Sequence, residues 1–590
     1  MPLPPSVTPV ASRALRTMAL IAVLCGGLAA QNFTAITTGP LVSDGGRSGG
    51  LAWIDYDGDG RLDLYVANGN LNPQANFLYR NLGGGDFQRI TATPPVTDAA
   101  PSIGSTWGDV DNDGDPDLFV VNRQNAANAF YRNDGGGSFT AIGDGPIPLD
   151  RSSSNGAAWV DLDTDGDLDL FLINFNAVNR LYRNDGAGVF TEIDTGRIVT
   201  EVTPSINGAW SDVDDDGDMD LFICNGGNQD NLLYRNGGNL HFVAETLPSA
   251  TSSLGCAWGD FDNDGDMDLY VANFLGQNNQ LYANSGAPDY RLTPVSGVPP
   301  VQDGSSTVGT AWADLDNDGD LDLFLGNAQG EANRLYRNEG GSFSEWTVPG
   351  LTTDPGNTFA VSAADPDGDG DLDLMTANIL DEDNRFYRNE GTPHHWIAIR
   401  LRGVVSNRDA IGARVSVRAT LGDGPRWQHR EMRSQNGYNA QGGPYLHIGL
   451  EAAAVIDSLV VRWPSGQVDR HAGLAADRLI TVTEGDGVTA IGREAGTAQR
   501  FRLYPAAPNP FNPATRMRFD LDRGERVTLA VYDITGRRIA TLVDGYRPAG
   551  RHTVRWSGRD DGGRAVASGT YLMRLRVGDG LQIRRVTLVR

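Results

Sequence analysis

One acidic loop, D-x-D-x-D-G-x-x-D, recurs seven times between Asp55 and Asp373, at intervals of 54, 52, 51, 48, 54 and 51 residues. A motif returning at so even a period belongs to a supersecondary unit that is itself repeated, so the chain builds an array, not one conventional core. The acids at positions 1, 3, 5 and 9 are Asp55, Asp57, Asp59 and Asp63 in the first loop, then Asp109, Asp111, Asp113 and Asp117, and Asp161, Asp163, Asp165 and Asp169. The pattern continues with Asp212, Asp214, Asp216 and Asp220, and with Asp260, Asp262, Asp264 and Asp268. It ends with Asp314, Asp316, Asp318 and Asp322, and with Asp365, Asp367, Asp369 and Asp373.

Four carboxylates within nine residues repel one another, each pair by about 4 kcal/mol at a separation near 4 Å and an effective dielectric near 20. A hard divalent cation with oxygen ligands relieves this, and the spacing resembles the first half of an EF-hand loop, with a turn glycine at position 6. Position 7 offers a backbone carbonyl, from Arg61, Asp115, Asp167, Asp218, Asp266, Asp320 and Asp371. The closing acid stands at position 9, not 12, and is followed by apolar runs such as DLYVAN, DLFVVN and DLFLIN. These runs are β-prone, so the last ligand comes from a strand and a helix-loop-helix pair is excluded. Turn-forming Asp, Asn and Gly account for one such loop, not for seven with no acid missing. Magnesium tolerates crowded all-protein cages poorly, so about seven structural Ca²⁺ sites are expected.

The 590 residues and 74 glycines point to several all-β domains. A formal charge of −27 argues against nucleic-acid binding, and seven Ca²⁺ would supply +14 against it. Arg13 and Arg16, the apolar run Met18 to Leu24, and the small residues Gly26 to Ala30 predict a signal peptide over residues 1–30. No later run is long and apolar enough for a transmembrane helix, so a secreted or outer-surface protein is expected. Cys224 and Cys256 lie in apolar strand patterns and read as buried, unbridged thiols.

Each unit holds four β-like segments, which makes it a propeller blade. Trp53, Trp107, Trp159, Trp210, Trp258 and Trp312 stand two residues before the first aspartate of six loops and read as inter-blade core. The seventh unit lacks its outer strand, yet Asn32 to Ile36 copies Ser138 to Ile142 of the second, so the N-terminal strand is expected to complete the last blade. Seven blades over residues 31–392 follow. These units resemble FG-GAP and VCBS repeats, also found in integrin α-subunit propellers. The resemblance implies structural calcium sites and a partner-binding face made by the other loops, and it implies no enzyme.

Over 393–485, Trp396 to Gly403, Ser406 to Ala413, Leu446 to Leu450 and Val461 to Gly466 resemble the ASPIC and UnbV domain, which commonly follows such a propeller in proteins similar to cartilage acidic protein. Ile448 replaces the usual phenylalanine, a packing change, and Ser406, Asn407 and Arg408 read as turn builders, with ligand binding as the alternative. A linker over 486–499 leads to residues 500–590, where Tyr504 to Thr515, Val531 to Arg537 and Ala567 to Tyr571 resemble FlgD-type immunoglobulin-like domains and type IX secretion sorting domains. That end carries 18 arginines against 8 acids. The resemblance implies contact with export machinery.

The expected fold is therefore all-β: a seven-bladed β-propeller with calcium loops, a small β domain and an immunoglobulin-like β-sandwich. Gly46 to Gly50 matches G-x-S-x-G without the strand-turn-helix setting of a nucleophile elbow, and seven identical acid sets suit a metal better than an acid-base pair. The expected function is recognition or adhesion toward an extracellular protein or glycan. The alternatives are a polysaccharide-active enzyme on a propeller scaffold and a purely structural surface protein.

Overall fold

The computed structural model describes residues 33–589 apart from 71, 148–150, 239, 492–500, 504–505, 507–510, 522, 534–536 and 578–579. The expected signal peptide lies outside the described residues, as do most of the expected linker and parts of the Tyr504 to Thr515 and Val531 to Arg537 motifs. Among the described residues no helix is long and apolar enough to cross a membrane.

Seven four-stranded antiparallel units follow one another. In the first, Ser48–Ile54, Asp63–Asn68, Phe77–Gly83 and Asp86–Ile90 run from the innermost strand to the outermost. The second strand of every blade is buried at all six positions from the closing aspartate onward, because a neighbouring blade covers each face. That double cover explains why these strands read as unbroken apolar runs, whereas Phe190–Ile193 on an outer edge is exposed in its middle. Blade seven consists of Thr358–Ala364, Asp373–Asn378 and Arg385–Asn389 with Phe33–Ile36 as its outer strand, Phe33 opposite Asn389 and Ile36 opposite Phe386. The innermost strands pack side by side around the full circle, including Ser48–Ile54 against Thr358–Ala364.

The six tryptophans sit between blades. Trp107 meets Tyr65 of the preceding blade edge-on at 5.5 Å, and Trp210 meets Phe171 at 5.4 Å. Trp258 Nε1 donates to the Ala209 carbonyl at 3.1 Å, so one side chain both fills the gap and ties two blades. Cys224 and Cys256, on neighbouring blades, are free and buried.

The second domain pairs two four-stranded sheets, one built on His395–Arg402 and the other on Arg414–Leu421, around Ile397, Val415, Ile448 and Val482. Val488–Ile491 pairs with Arg478–Thr483, so the first residues of the expected linker belong to this sheet. The domain sits on the acidic-loop face of the ring, and its segment 433–441 enters the centre. There Ala440–Gln441 adds as a parallel strand to Leu51–Ala52, and Gln441 bonds both the nitrogen and the carbonyl of Trp107, at 2.9 and 3.1 Å. Asn439 reaches the Asn155 carbonyl, Ser434 that of Trp159 and Arg433 that of Trp258. A Cβ on Gly437 would stand 2.0 Å from the Thr310 oxygen, so only glycine fits there.

The third domain, between Phe501 and Leu588, packs a three-stranded sheet on a four-stranded one around Met517, Phe519, Leu529, Trp556 and Met573.

Candidate metal centre

Backbone conformation shapes each loop first. Position 4, occupied by Gly58, Asn112, Thr164, Asp215, Asn263, Asn317 and Gly368, has φ between 55° and 73° in every loop, and the position-6 glycine has φ between 89° and 103°. Two left-handed residues so close together curl the chain until its acids converge. Position 1 then accepts the amide of the position-6 glycine at 2.7 to 3.2 Å, as Gly60 to Asp55 and Gly114 to Asp109 show. Position 5 turns one oxygen toward the amide of position 7, for example Asp113 toward Asp115 at 2.9 Å.

Carboxylate oxygens of positions 1, 3 and 9 lie within 4.8 Å of one another in Asp55, Asp57 and Asp63; in Asp109, Asp111 and Asp117; in Asp212, Asp214 and Asp220; and in Asp260, Asp262 and Asp268. In the third loop the same criterion gathers Asp161, Asp163 and Asp165. Position-7 side chains face other neighbours. Arg61 bonds Asp59 and the Asn81 carbonyl, while Asp167, Asp320 and Asp371 accept from Asn112, Asn263 and Asn317 of the preceding loop.

Two groups of partners were not singled out in the sequence, though both lie in its N-x-L-Y-R-N segments. An asparagine of the third strand gives its amide to the closing aspartate in every blade, at 2.7 to 2.9 Å, from Asn81 to Asp63 through Asn389 to Asp373. Its side chain reaches the position-2 carbonyl of the preceding blade: Asn133 to Tyr56, Asn184 to Val110, and Asn81 across to Pro366 of blade seven. Asn284, Asn338 and Asn389 make the same link to Val213, Phe261 and Leu315, so six blades tie their loop to the preceding one, whereas Asn236 of blade four bonds the Met219 carbonyl of its own loop. The arginine one residue earlier approaches position 3, as Arg80 to Asp57 at 2.8 Å and Arg337 to Asp316 at 2.9 Å, but blade five has Ala283 there. The second domain brings further cations: Arg408 to Asp109 at 3.2 Å, Arg426 to Asp320 at 2.8 Å and Arg414 to Asp215 at 3.0 Å.

These guanidinium groups are too few for the acids. Burial pushes Asp63, Asp268 and Asp373 up to about 9, against the opposing pull of the asparagine amides and with neighbouring aspartates adding to it. Asp117, Asp169 and Asp220 rise to about 8 for the same first cause. At position 1, Asp161, Asp212, Asp260, Asp314 and Asp365 rise to about 7 and Asp55 to about 6. Buried oxygens without partners remain on Asp55, Asp63, Asp161, Asp214, Asp260 and Asp316. Converging, under-neutralised and unpartnered carboxylate oxygens fit a hard divalent cation of Ca²⁺ type and offer no sulfur or imidazole to a softer one.

A family model described as FG-GAP-like repeat matches residues 55–120, 109–172, 161–223, 212–271, 261–325 and 314–376, which together span 55–376. ASPIC and UnbV matches 403–489, and FlgD Ig-like domain matches 509–580. The chain is 28% identical over 222 residues to cartilage acidic protein 1 of Xenopus tropicalis, covering 34% of each chain. It is 26% identical over 194 residues to the Homo sapiens protein, covering 30% of this chain and 29% of that one. The chain thus spans about a third of the length of these relatives. A solved structure of PorZ, an essential bacterial surface component of the type-IX secretion system of Porphyromonas gingivalis, aligns over 92% of this chain and 82% of its own at 12% identity, with a TM-score of 0.21. With its acidic repeats and the two following domains matched in order, the chain belongs to the FG-GAP-like repeat proteins and carries an ASPIC and UnbV domain and a FlgD Ig-like domain.

Proposed function

We propose that the protein is a secreted or outer-surface recognition module whose propeller is held rigid by about seven Ca²⁺ ions, with no catalytic role for the metal. One observation carries this reading: buried aspartate oxygens converge at the loop bends and several have no hydrogen-bond partner among the described residues. Bound there, a divalent cation supplies charge neutralisation and fixes the loops against the strands that deliver Asp63 and its equivalents. The second domain covers the metal-loop face, so partner recognition falls to the opposite face and the outer rim, where the ligand is an extracellular protein or glycan. The basic C-terminal domain is the part that meets export machinery. The polysaccharide-active alternative requires paired carboxylates outside the seven loops in an open cleft.

The test is elemental analysis of the purified chain after dialysis against calcium, with thermal melts before and after chelation. About seven calcium ions per chain and a lower melting temperature on chelation are expected; a metal-free chain with an unchanged melt defeats the reading. A panel of glycans and surface proteins, assayed for both binding and product release, separates recognition from catalysis.

A further inference from the structure

A cavity of about 300 Å³ lies where the first two metal loops meet the second domain. That is the low end of the range for small-molecule sites. Its apolar walls include Ile54, Trp107 and Ile411, and its charged rim includes Arg400, Arg402 and Arg408. Two of the lining residues carry buried donors with no partner among the described residues. Trp107 is 1% exposed and its indole N–H has no acceptor, and the buried Nε of Arg400 has none. Arg402 forms no ion pair among the described residues. Its charge is disfavoured first by desolvation and then by repulsion from Arg408 and Arg584. The acids nearby are already engaged: Asp409 accepts the Asp109 amide at 2.7 Å, and Asp109 pairs with Arg408 and accepts from Gly114. Asp55 keeps an unpartnered oxygen, but it belongs to the first metal loop.

We propose that this cavity binds a small organic anion of sugar-acid size, its carboxylate held by Arg400, Arg402 and Arg408 and its hydroxyl oxygens offered to the Trp107 N–H. A crowded set of guanidinium groups and idle donors is satisfied by a ligand rich in acceptors, and the aromatic and aliphatic walls suit the faces of a sugar ring. A bare inorganic anion would leave the apolar part of the cavity unfilled. The inference rests on the calcium reading in one respect: a cation must take over Asp55 and Asp109 and release Arg408 from the ion pair it makes with Asp109 in the metal-free chain.

Isothermal titration of the full-length, calcium-loaded chain with D-glucuronate, D-glucose and inorganic sulfate tests it. Glucuronate is expected to bind saturably, glucose not at all and sulfate more weakly. Arg402→Glu is expected to weaken glucuronate at least about tenfold while leaving the melting temperature in place, because the side chain makes no ion pair among the described residues. Arg402→Lys is expected to recover most of the affinity. No saturable glucuronate binding, equal binding of glucose or sulfate, or an Arg402→Glu chain that binds as well as the parent each overturns the proposal. Chelator melts on the same sample report the calcium reading separately: a chain that melts lower without metal yet takes no glucuronate sinks the cavity assignment alone.

Discussion

At the scale of single residues, the closing aspartates carry the sharpest expectation. Asp268→Asn retains an oxygen for the Asn284 amide but removes a charge from the cluster, so calcium content should fall by one ion per chain. Asp215→Asn, at position 4 and engaged by Arg414 and Arg462, should leave the content unchanged. Equal metal loss from both variants would mean that the ion is held by diffuse acidity and not by the loop. Acidity itself gives a second test. In an unfolded chain aspartates titrate near 4, whereas in the folded, metal-free ring the closing acids hold protons up to about 8 or 9. Folded values above unfolded ones mean that their stabilising share is complete below about pH 4 and is lost as the pH climbs toward about 9. Calcium requires the anions, so the drop in melting temperature on chelation should widen between about pH 5 and about pH 8. A constant or shrinking gap over that window would contradict the assignment of these acids as ligands.

Individual elements show what a sequence conveys and what it hides. The strand after each loop was legible because the apolar run begins directly at the last aspartate, and the outer strand of blade seven because Asn32 to Ile36 repeats a segment of the second unit. The interlocking asparagines were written in the same repeat, but an Asn closing a strand looks like a turn former until its carbonyl partner, one blade away, is known. The central segment is the harder case. Ser434 to Gly443 reads SQNGYNAQGG, which composition assigns to an exposed loop. Its burial depends on acceptors and donors supplied by blades far away in the chain, such as Trp107 and Asn155. Replacing Gln441 with alanine leaves both backbone groups of Trp107 unpaired in a buried setting and should cost about 2 to 4 kcal/mol in a urea titration. Gly437→Ala should be at least as damaging, since the Thr310 oxygen cannot retreat from an inner strand without disturbing blade six. A loss below about 0.5 kcal/mol in both variants would show that the segment rests at the centre without supporting it.

For the whole molecule, ring and second domain form one electrostatic object. Arginines of the second domain stand over loops two, four and six, so removing that domain should destabilise the propeller beyond the loss of its own fold and raise the calcium needed for half-maximal protection. Residues 33–392 expressed alone, titrated with calcium and followed by tryptophan emission, provide the comparison. An isolated ring as stable as the full chain at every calcium concentration would show that the two merely touch. The repeat was open to reading, whereas this docking was not, because complementary charges far apart in a chain carry no positional signal.

Among the described residues Phe33–Ile36 pairs only with Arg385–Asn389. Threaded out of a ribosome or an export pore leading end first, that short segment must wait, unpaired, while six blades are laid down behind it. The toroid is therefore sealed by its oldest residues meeting nearly its newest. Nicking the hinge between the first strand and the first blade should unfasten the circle like a clasp, whereas moving the chain ends to a junction between two later blades should preserve it.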